Sequence, residues 1–136
     1  MKIKTTVTIF TILFTINSWA FYEGYASKNG DSLKDFIEPE ALFLLTENPI
    51  DNISIIDVRP ENAYQKGHIP TALSFPSKNI MDRLNELSTD QFYIIYCETG
   101  IRAQMVIKKL EKSGYTKLLN WGGYKKWPYP LITGLN

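Results

Sequence analysis

The sequence contains a single cysteine and a single histidine among 136 residues. One cysteine excludes an internal disulfide bond, so an apolar core must stabilise the fold. So few soft ligands argue against a zinc site, and we predict neither a metal nor another cofactor. The formal net charge is only +1, and no basic stripe alternates with aromatic residues, which argues against a nucleic-acid partner. The hydrophobic share of 44% is sufficient for one domain with a single core.

The apolar run near the N-terminus, at residues 7–16, is shorter than the span of about 20 residues that a membrane requires. It follows two lysines and precedes small residues, an order that is typical of a secretory signal peptide. We therefore predict a signal peptide at residues 1–20, cleaved after Ala20 or, as a second candidate, after Ala26. This interpretation places the protein in the periplasm or another exported location. It would be attached to a membrane only if the segment stays uncleaved.

The cysteine stands where a predicted strand meets a predicted helix. Residues 93–97 are apolar and rich in β-branched and aromatic side chains, which indicates a buried strand that ends at Cys97. Gly100 permits a tight turn, and helical spacing begins at Arg102. The first amides of such a helix have no partners within it. We expect them to surround the sulfur, stabilise its thiolate and hold an anion beside it, with the Arg102 guanidinium nearby.

The spacing Cys97-x-x-Gly100-x-Arg102 resembles the active-site loop of the rhodanese family. The resemblance covers residues 35–131, which we predict to be one domain between a loose polar lead-in at 21–34 and a short tail at 132–136. It implies that Cys97 and Arg102 are catalytic. The substrate-binding loop that it implies between them consists of Glu98, Thr99, Gly100 and Ile101.

Two other segments contribute to the resemblance. Asp57 and Arg59 end a strand in an Asp-Val-Arg sequence, and the resemblance implies a supporting role at the same rim. Asp57 is equally suited to capping loop amides, and Arg59 to an ion pair with Glu61. His68 lies in a Gly-His-Ile-Pro segment that the family uses as a structural turn. Thr71 replaces the usual glycine of that turn, so we expect a negative φ there.

Strand and helix patterns alternate along the predicted domain. Apolar runs predict strands at 53–58, 72–75, 92–96 and 117–120, and helical spacing predicts helices at 41–45, 80–87 and 102–110. Strands separated by helices indicate a parallel sheet with helices on both faces. The resemblance implies the α/β rhodanese-like fold as a single small domain. Ligands bind beyond the carboxyl ends of such strands, where Cys97 lies. We expect Gly122 and Gly123 to open a final turn.

The loop from Cys97 to Arg102 contains six residues and encloses a pocket suited to one extra sulfur atom. The resemblance implies a sulfurtransferase that carries this sulfur as a Cys97 persulfide. The donor would be thiosulfate, another small sulfur-containing anion or a persulfide, and the acceptor cyanide or a thiol. Such two-step covalent catalysis predicts ping-pong kinetics.

Two alternatives follow from the same fold. Phosphatases that share it have five residues between cysteine and arginine and usually a histidine before the cysteine. Here four residues intervene and Tyr96 precedes Cys97, which argues against a phosphatase. A non-catalytic interaction or sulfur-carrier module is the remaining alternative, although such modules commonly lose the cysteine. On its own, a cysteine at a strand end is also consistent with a small buried core residue.

Overall fold

The computed structural model describes residues 22–135, so the predicted signal peptide lies outside the described residues. Within this range the strands form one parallel sheet in the order β2-β1-β3-β4. They are β1 (Ile53–Asp57), β2 (Leu73–Ser74), β3 (Phe92–Cys97) and β4 (Leu118–Gly123). The α-helices are α1 (Pro39–Glu47), α2 (Glu61–Lys66) and α3 (Ile101–Lys112), with 3-10 helices at Asp31–Phe36, Ile80–Glu86 and Tyr124–Lys126. The predicted α/β fold is confirmed.

The two central strands bury side chains on both faces of the sheet. Ile56 and Ile95 lie in the core on one face, whereas Ile55 and Ile94 lie in the core on the other. Helix α3 covers the first face through its predicted apolar positions 103, 106, 107 and 110. Helix α1 covers the second face, and Pro39 occupies its first turn, where no amide donor is needed. Continuous apolar runs are therefore required in β1 and β3. No helix within residues 22–135 has the length and apolar character needed to cross a membrane.

The predicted helix at 80–87 is instead an irregular 3-10 helix. Its backbone leaves helical geometry at Arg83, where φ is −118° and ψ is 20°. The Arg83 guanidinium donates to the carbonyl oxygen of Ser74 at 3.0 Å and lies 4.1 Å from the centre of the Phe75 ring. These contacts connect the segment to the end of β2 and accompany the departure from a regular helix.

The segment at 21–34 was expected to be a loose lead-in, and for the described residues this prediction is wrong. Ala26 forms an antiparallel bridge with Leu119 of β4. The Gly24 amide donates to the carbonyl oxygen of Asn120 at 2.7 Å, and the Ser27 amide to that of Leu118 at 2.9 Å. These contacts use mainly backbone groups, which polar side-chain composition does not reveal. The segment therefore lies against the outer edge of β4.

Thr71 has a φ of +67°, so the expectation of a negative φ is wrong. The Ala72 amide donates to the carbonyl oxygen of Ile69 at 3.1 Å, which closes a four-residue turn with Pro70 second and Thr71 third. A type II turn has this arrangement, and it requires a positive φ at its third residue. The turn geometry is thus retained without glycine, at a conformational cost of about 1–2 kcal/mol.

Candidate active site

Cys97 is the last residue of β3, and its side chain is almost completely buried, with 1% of the residue exposed. The Gly100 amide donates to its sulfur at 3.0 Å, and the Ala103 amide donates at 3.4 Å. Both amides belong to the loop and first turn of α3, as the strand–helix junction predicts. Two N–H dipoles directed at one sulfur stabilise negative charge on it. The geometry favours a reactive cysteine over a merely space-filling one.

Gly100 shapes the loop through a left-handed backbone, with φ of +93° and ψ of −16°. A Cβ atom at this position would lie 3.0 Å from Cα of Gly122, so a side chain would be both strained and crowded. Gly100 also begins α3, since its carbonyl oxygen accepts the Gln104 amide at 3.0 Å. One glycine therefore turns the chain, directs an amide at Cys97 and starts the helix.

Strand β4 forms the surface on which the loop rests. Gly122 and Gly123 are the last residues of this strand, and Gly123 is also the N-cap of the 3-10 turn at Tyr124–Lys126, so the prediction that these glycines open a final turn is confirmed. A Cβ atom at Gly123 would lie only 2.5 Å from the carbonyl oxygen of Glu98. Glycine inside a strand often indicates such close backbone approach, and this was the available sequence signal.

Asn120 also belongs to the site, although no motif in the sequence points to it. Its side chain is completely buried in β4 and hydrogen-bonded to Gly100, Gln104 and Gly122. A polar residue inside an otherwise apolar strand was the signal that could have identified it, because buried amides require hydrogen-bond partners.

The exposed residues of the loop are Glu98, Thr99 and Ile101. The Glu98 carboxylate lies 3.6 Å from the Lys125 ammonium in an ion pair with both side chains largely in solvent. Glu98, Thr99 and Lys125 line a cavity of about 460 Å³ beside the loop. Charges of both signs therefore border the site, and Glu98 is partly neutralised by its neighbour.

The neighbouring Lys126 has a different environment from Lys125. Its ammonium contacts the Glu23 carboxylate at 2.5 Å and lies 3.9 Å from the centre of the Trp121 ring. Burial lowers the pKa of Lys126, and Glu23 offsets part of this effect. Lys126 is thus engaged in packing, whereas Lys125 is the more exposed cation at the cavity.

Arg102 is exposed at the first turn of α3. It borders a separate cavity of about 400 Å³ that is also lined by Pro60, Ser77 and Lys78. No hydrogen bond or ion pair of its guanidinium occurs among residues 22–135. The guanidinium therefore has no competing partner in this range, and its predicted role toward an anion stays a prediction.

Asp57 and Arg59 pair with each other in the interior. The Arg59 Nη2 donates to Oδ2 of Asp57 at 2.6 Å, and the backbone amide of Arg59 donates to Oδ1 at 2.9 Å. The expected ion pair of Arg59 is therefore confirmed, but its partner is Asp57 and not Glu61. Arg59 Nη2 also donates to the carbonyl oxygen of Gly67 at 2.7 Å. Burial acts to lower the pKa of Arg59, but the Asp57 ion pair outweighs it and the pKa is raised.

This ion pair lies beside the strand that carries Cys97. Arg59 lies 4.2 Å from the centre of the Tyr124 ring and borders a cavity of about 160 Å³ that Glu98 also lines. The Tyr96 hydroxyl accepts the Ile69 amide at 3.1 Å. Burial raises the pKa of Tyr96, and the Asp57 charge adds to this increase. Tyr96 is thus a neutral structural group, and the pair holds the end of β1 against residues 67–69.

His68 directly precedes the turn at residues 69–72 and forms an antiparallel bridge with Ile132, so its role is structural, as the resemblance implies. It is completely buried, and its ring stacks on Tyr64 with a centroid distance of 3.7 Å. Its Nδ1 is hydrogen-bonded to the Tyr64 carbonyl oxygen at 2.9 Å. Within residues 22–135, no three His, Cys, Asp or Glu side chains are grouped so that they could hold a metal ion.

Comparisons with known proteins bear on the family and the fold of the chain. A family model described as a rhodanese-like domain matches residues 41–128. The chain is 34% identical over 97 residues to the putative sulfur carrier protein YrkF of Bacillus subtilis. The matched region covers 71% of this chain and 51% of YrkF. The chain is 31% identical over 81 residues to thiosulfate sulfurtransferase PspE of Escherichia coli, covering 58% of this chain and 78% of PspE.

A crystal structure of a rhodanese-like domain protein from Staphylococcus aureus is similar to this fold. The TM-score is 0.61 at 28% identity, and the match covers 70% of this chain and 93% of that chain. Against two of the curated relatives from Bacillus subtilis, the match spans only 59% and 51% of their length.

Proposed function

Because the chain belongs to the rhodanese-like domain family, we propose that it is a sulfurtransferase that carries the transferred sulfur as a Cys97 persulfide. The observation that supports this most directly is the pair of amides on the Cys97 sulfur. They stabilise the thiolate that attacks the donor and that leaves again when the acceptor takes the sulfur.

The reaction consists of two displacements at sulfur. The Cys97 thiolate attacks the outer sulfur of thiosulfate; its S–S bond breaks, and sulfite leaves with the bonding electron pair. Cys97 is then a persulfide anion. Cyanide or a thiolate attacks the terminal sulfur, the S–S bond to Cys97 breaks, and thiocyanate or a new persulfide leaves while the thiolate returns. Each step exchanges one S–S bond or forms one C–S bond, and no external oxidant or reductant is consumed.

The burial of Cys97 favours a donor that presents one small reactive atom. Gly100 packs against Gly122, and Gly123 packs against the backbone of Glu98, so the loop rests closely on β4. Only 1% of Cys97 is exposed. The terminal sulfur of thiosulfate or of a persulfide is narrow enough to approach such a site. A bulky tetrahedral phosphate ester would need a wider loop.

Sulfur loading and turnover test the proposal directly. The protein is incubated with thiosulfate and its intact mass is measured; we expect one added sulfur that cyanide removes as thiocyanate. A second function, that of a sulfur carrier, is favoured by the similarity to YrkF. A carrier would gain the sulfur but would release it slowly to cyanide and small thiols. Absence of both loading and turnover would contradict the proposed function.

Export is also part of the proposal and is supported by the signal-like pattern of residues 1–20. The intact mass of the protein isolated from its native cells tests it. A mature chain that begins after Ala20 or Ala26 is the expected result, whereas a full-length chain in the cytoplasm would contradict export.

Arg102 is expected to assist anion binding. Arg102→Ala should lower kcat/KM for thiosulfate by about ten-fold, the size expected when one hydrogen bond to a charged group is lost. The control is Lys78→Ala, which removes a positive charge from the same cavity. Steady-state thiocyanate formation measures both variants. Equal kinetics for Arg102→Ala and the control would mean that the backbone amides act without the guanidinium.

Glu98 is expected to make thiosulfate a poor donor, because its carboxylate repels a dianion that approaches the loop. Glu98→Lys should raise kcat/KM for thiosulfate several-fold at low salt, with a smaller gain at high ionic strength. The control is Glu47→Lys, an identical charge change at the exposed end of α1. A selective gain would indicate a less anionic natural donor, such as a persulfide. An equal response in the control would contradict a local effect.

A further inference from the structure

The side chain of Asn120 links the catalytic loop, α3 and β4. Its Nδ2 donates to the carbonyl oxygen of Gly100 at 2.9 Å and to Oε1 of Gln104 at 3.0 Å. Its Oδ1 accepts the Gly122 amide at 2.9 Å. Asn120 is completely buried, and Gln104 is 6% exposed. A buried amide with three partners has a single well-defined orientation, so it can transmit the position of β4 to the loop.

A β-bulge places Asn120 in this position. Ile95 of β3 pairs with Asn120, but the next residue, Tyr96, pairs with Gly122, so Trp121 is the extra residue. The Trp121 side chain packs in the core on the α1 side of the sheet. The hydrogen bond that the Gly122 amide donates to Asn120 Oδ1 spans the extra residue of the bulge, as Asx side chains do in turns. The same side chain is then free to donate to the loop through Nδ2.

Gly100 is held on both sides of its Cα atom. Its amide donates to the Cys97 sulfur, while its carbonyl oxygen accepts both the Gln104 amide and Asn120 Nδ2. Only two backbone rotations separate this carbonyl from this amide. Glycine has many accessible conformations, so external contacts must select the left-handed one with φ of +93°. Restraint of the carbonyl group therefore restrains the direction of the amide.

We propose that Asn120 is a positioning residue for Cys97: its side-chain amide holds Gly100 so that the Gly100 N–H remains directed at the sulfur. Without the two Nδ2 bonds, Gly100 would sample other conformations, and the thiolate would lose part of its stabilisation. The proposal rests on the proposed function only in taking Cys97 as the reacting group.

Two variants and one control test this role. Asn120→Leu removes all three hydrogen bonds, whereas Asn120→Thr keeps an acceptor that can bind the Gly122 amide and loses both Nδ2 bonds. Ser27→Ala is the control, because Ser27 is buried at the outer edge of β4 and bonds to Leu118. Alkylation of Cys97 by iodoacetamide at fixed pH measures thiolate reactivity without any sulfur substrate. Urea denaturation measures the stability of each variant.

We expect both Asn120 variants to be alkylated about ten-fold more slowly than the wild type, with Ser27→Ala unchanged. The kcat for sulfur transfer should fall with alkylation, while KM for thiosulfate changes less than about two-fold. Wild-type reactivity in Asn120→Thr would overturn the proposal, because the Gly122 contact would then be sufficient. Equal slowing in Ser27→Ala would also overturn it, since general loosening of β4 would explain the effect.

A measurement on the wild type covers the case in which the variants fail to fold. The side-chain NH2 resonances of Asn120 should be protected from solvent exchange and should shift when Cys97 is alkylated. Rapid solvent exchange of these resonances, together with chemical shifts that do not change on alkylation of Cys97, would overturn the proposal. Failure of the sulfurtransferase function is distinguishable, because it would abolish thiocyanate formation while leaving these alkylation differences intact.

Discussion

Cys97→Ser is expected to form no thiocyanate from thiosulfate and cyanide and to acquire no sulfur by intact mass. A serine hydroxyl is a far weaker nucleophile than a thiolate and cannot carry a persulfide, so kcat/KM should fall by at least about 10³-fold. Cys97 is the only cysteine in the chain, and the substitution therefore removes every thiol that could accept sulfur. Full thiocyanate production in the variant would show that the proposed nucleophile is wrong.

The fold of this variant should be maintained, which makes loss of activity interpretable. Serine can accept the Gly100 and Ala103 amides that Cys97 accepts in the wild type. Circular dichroism and urea denaturation provide the control, and we expect an unchanged spectrum and cooperative unfolding. A Cys97→Ala variant also removes the atom that accepts these amides. The difference in the free energy of unfolding between Cys97→Ser and Cys97→Ala then measures how much the amide contacts contribute to stability.

Asp57→Ala is expected to lower the free energy of unfolding by about 3–5 kcal/mol, because it leaves a buried arginine without its counterion. Arg59 is 3% exposed, and its ion pair with Asp57 has an N–O distance of 2.6 Å. Urea denaturation measures the change. The matched control is Asp31→Ala, which removes the carboxylate of an exposed pair with Lys34. Its effect should be much smaller, since exposed ion pairs contribute little.

A double variant separates burial of an unpaired charge from loss of an attraction. Asp57→Leu with Arg59→Met removes both charges and should recover most of the stability lost in Asp57→Ala. If Asp57→Ala is no more destabilising than Asp31→Ala, the pair does not stabilise the end of β1. If the double variant is as unstable as Asp57→Ala, packing rather than charge accounts for the effect.

Strongly periodic segments could be predicted from the sequence. Strand β3 is a continuous apolar run, and the apolar positions of α3 lie on one helical face, so burial alone determines both elements. The loop after Cys97 could also be predicted, because a strand, a glycine and a helix come in immediate succession in the sequence. Its amide contacts then depend on backbone geometry that this succession largely determines.

Other features depend on contacts that sequence patterns do not encode. Asn120 reaches Gly100 only because a bulge shifts the register of β4. Arg59 pairs with the buried Asp57 and also donates to the carbonyl oxygen of Gly67, whereas Glu61 is equally near in the sequence and was the expected partner. Thr71 adopts a positive φ because the turn around it demands one, against its own preference. In each case the observed backbone geometry or burial overrides the preference that the residue alone suggested.

The backbone of residues 24–29 occupies what would otherwise be the open edge of the sheet, since β4 is its last strand. An open edge strand can pair with a second copy of the chain and lead to aggregation. The family match begins at residue 41, and the predicted domain begins at 35, so a chain shortened to either limit would lose this cover. Of the two predicted cleavage sites, only the one after Ala20 retains the Gly24 contact with Asn120. Processing at that site would thus keep residues 24–29 against β4, the strand on which the loop of the proposed active site rests.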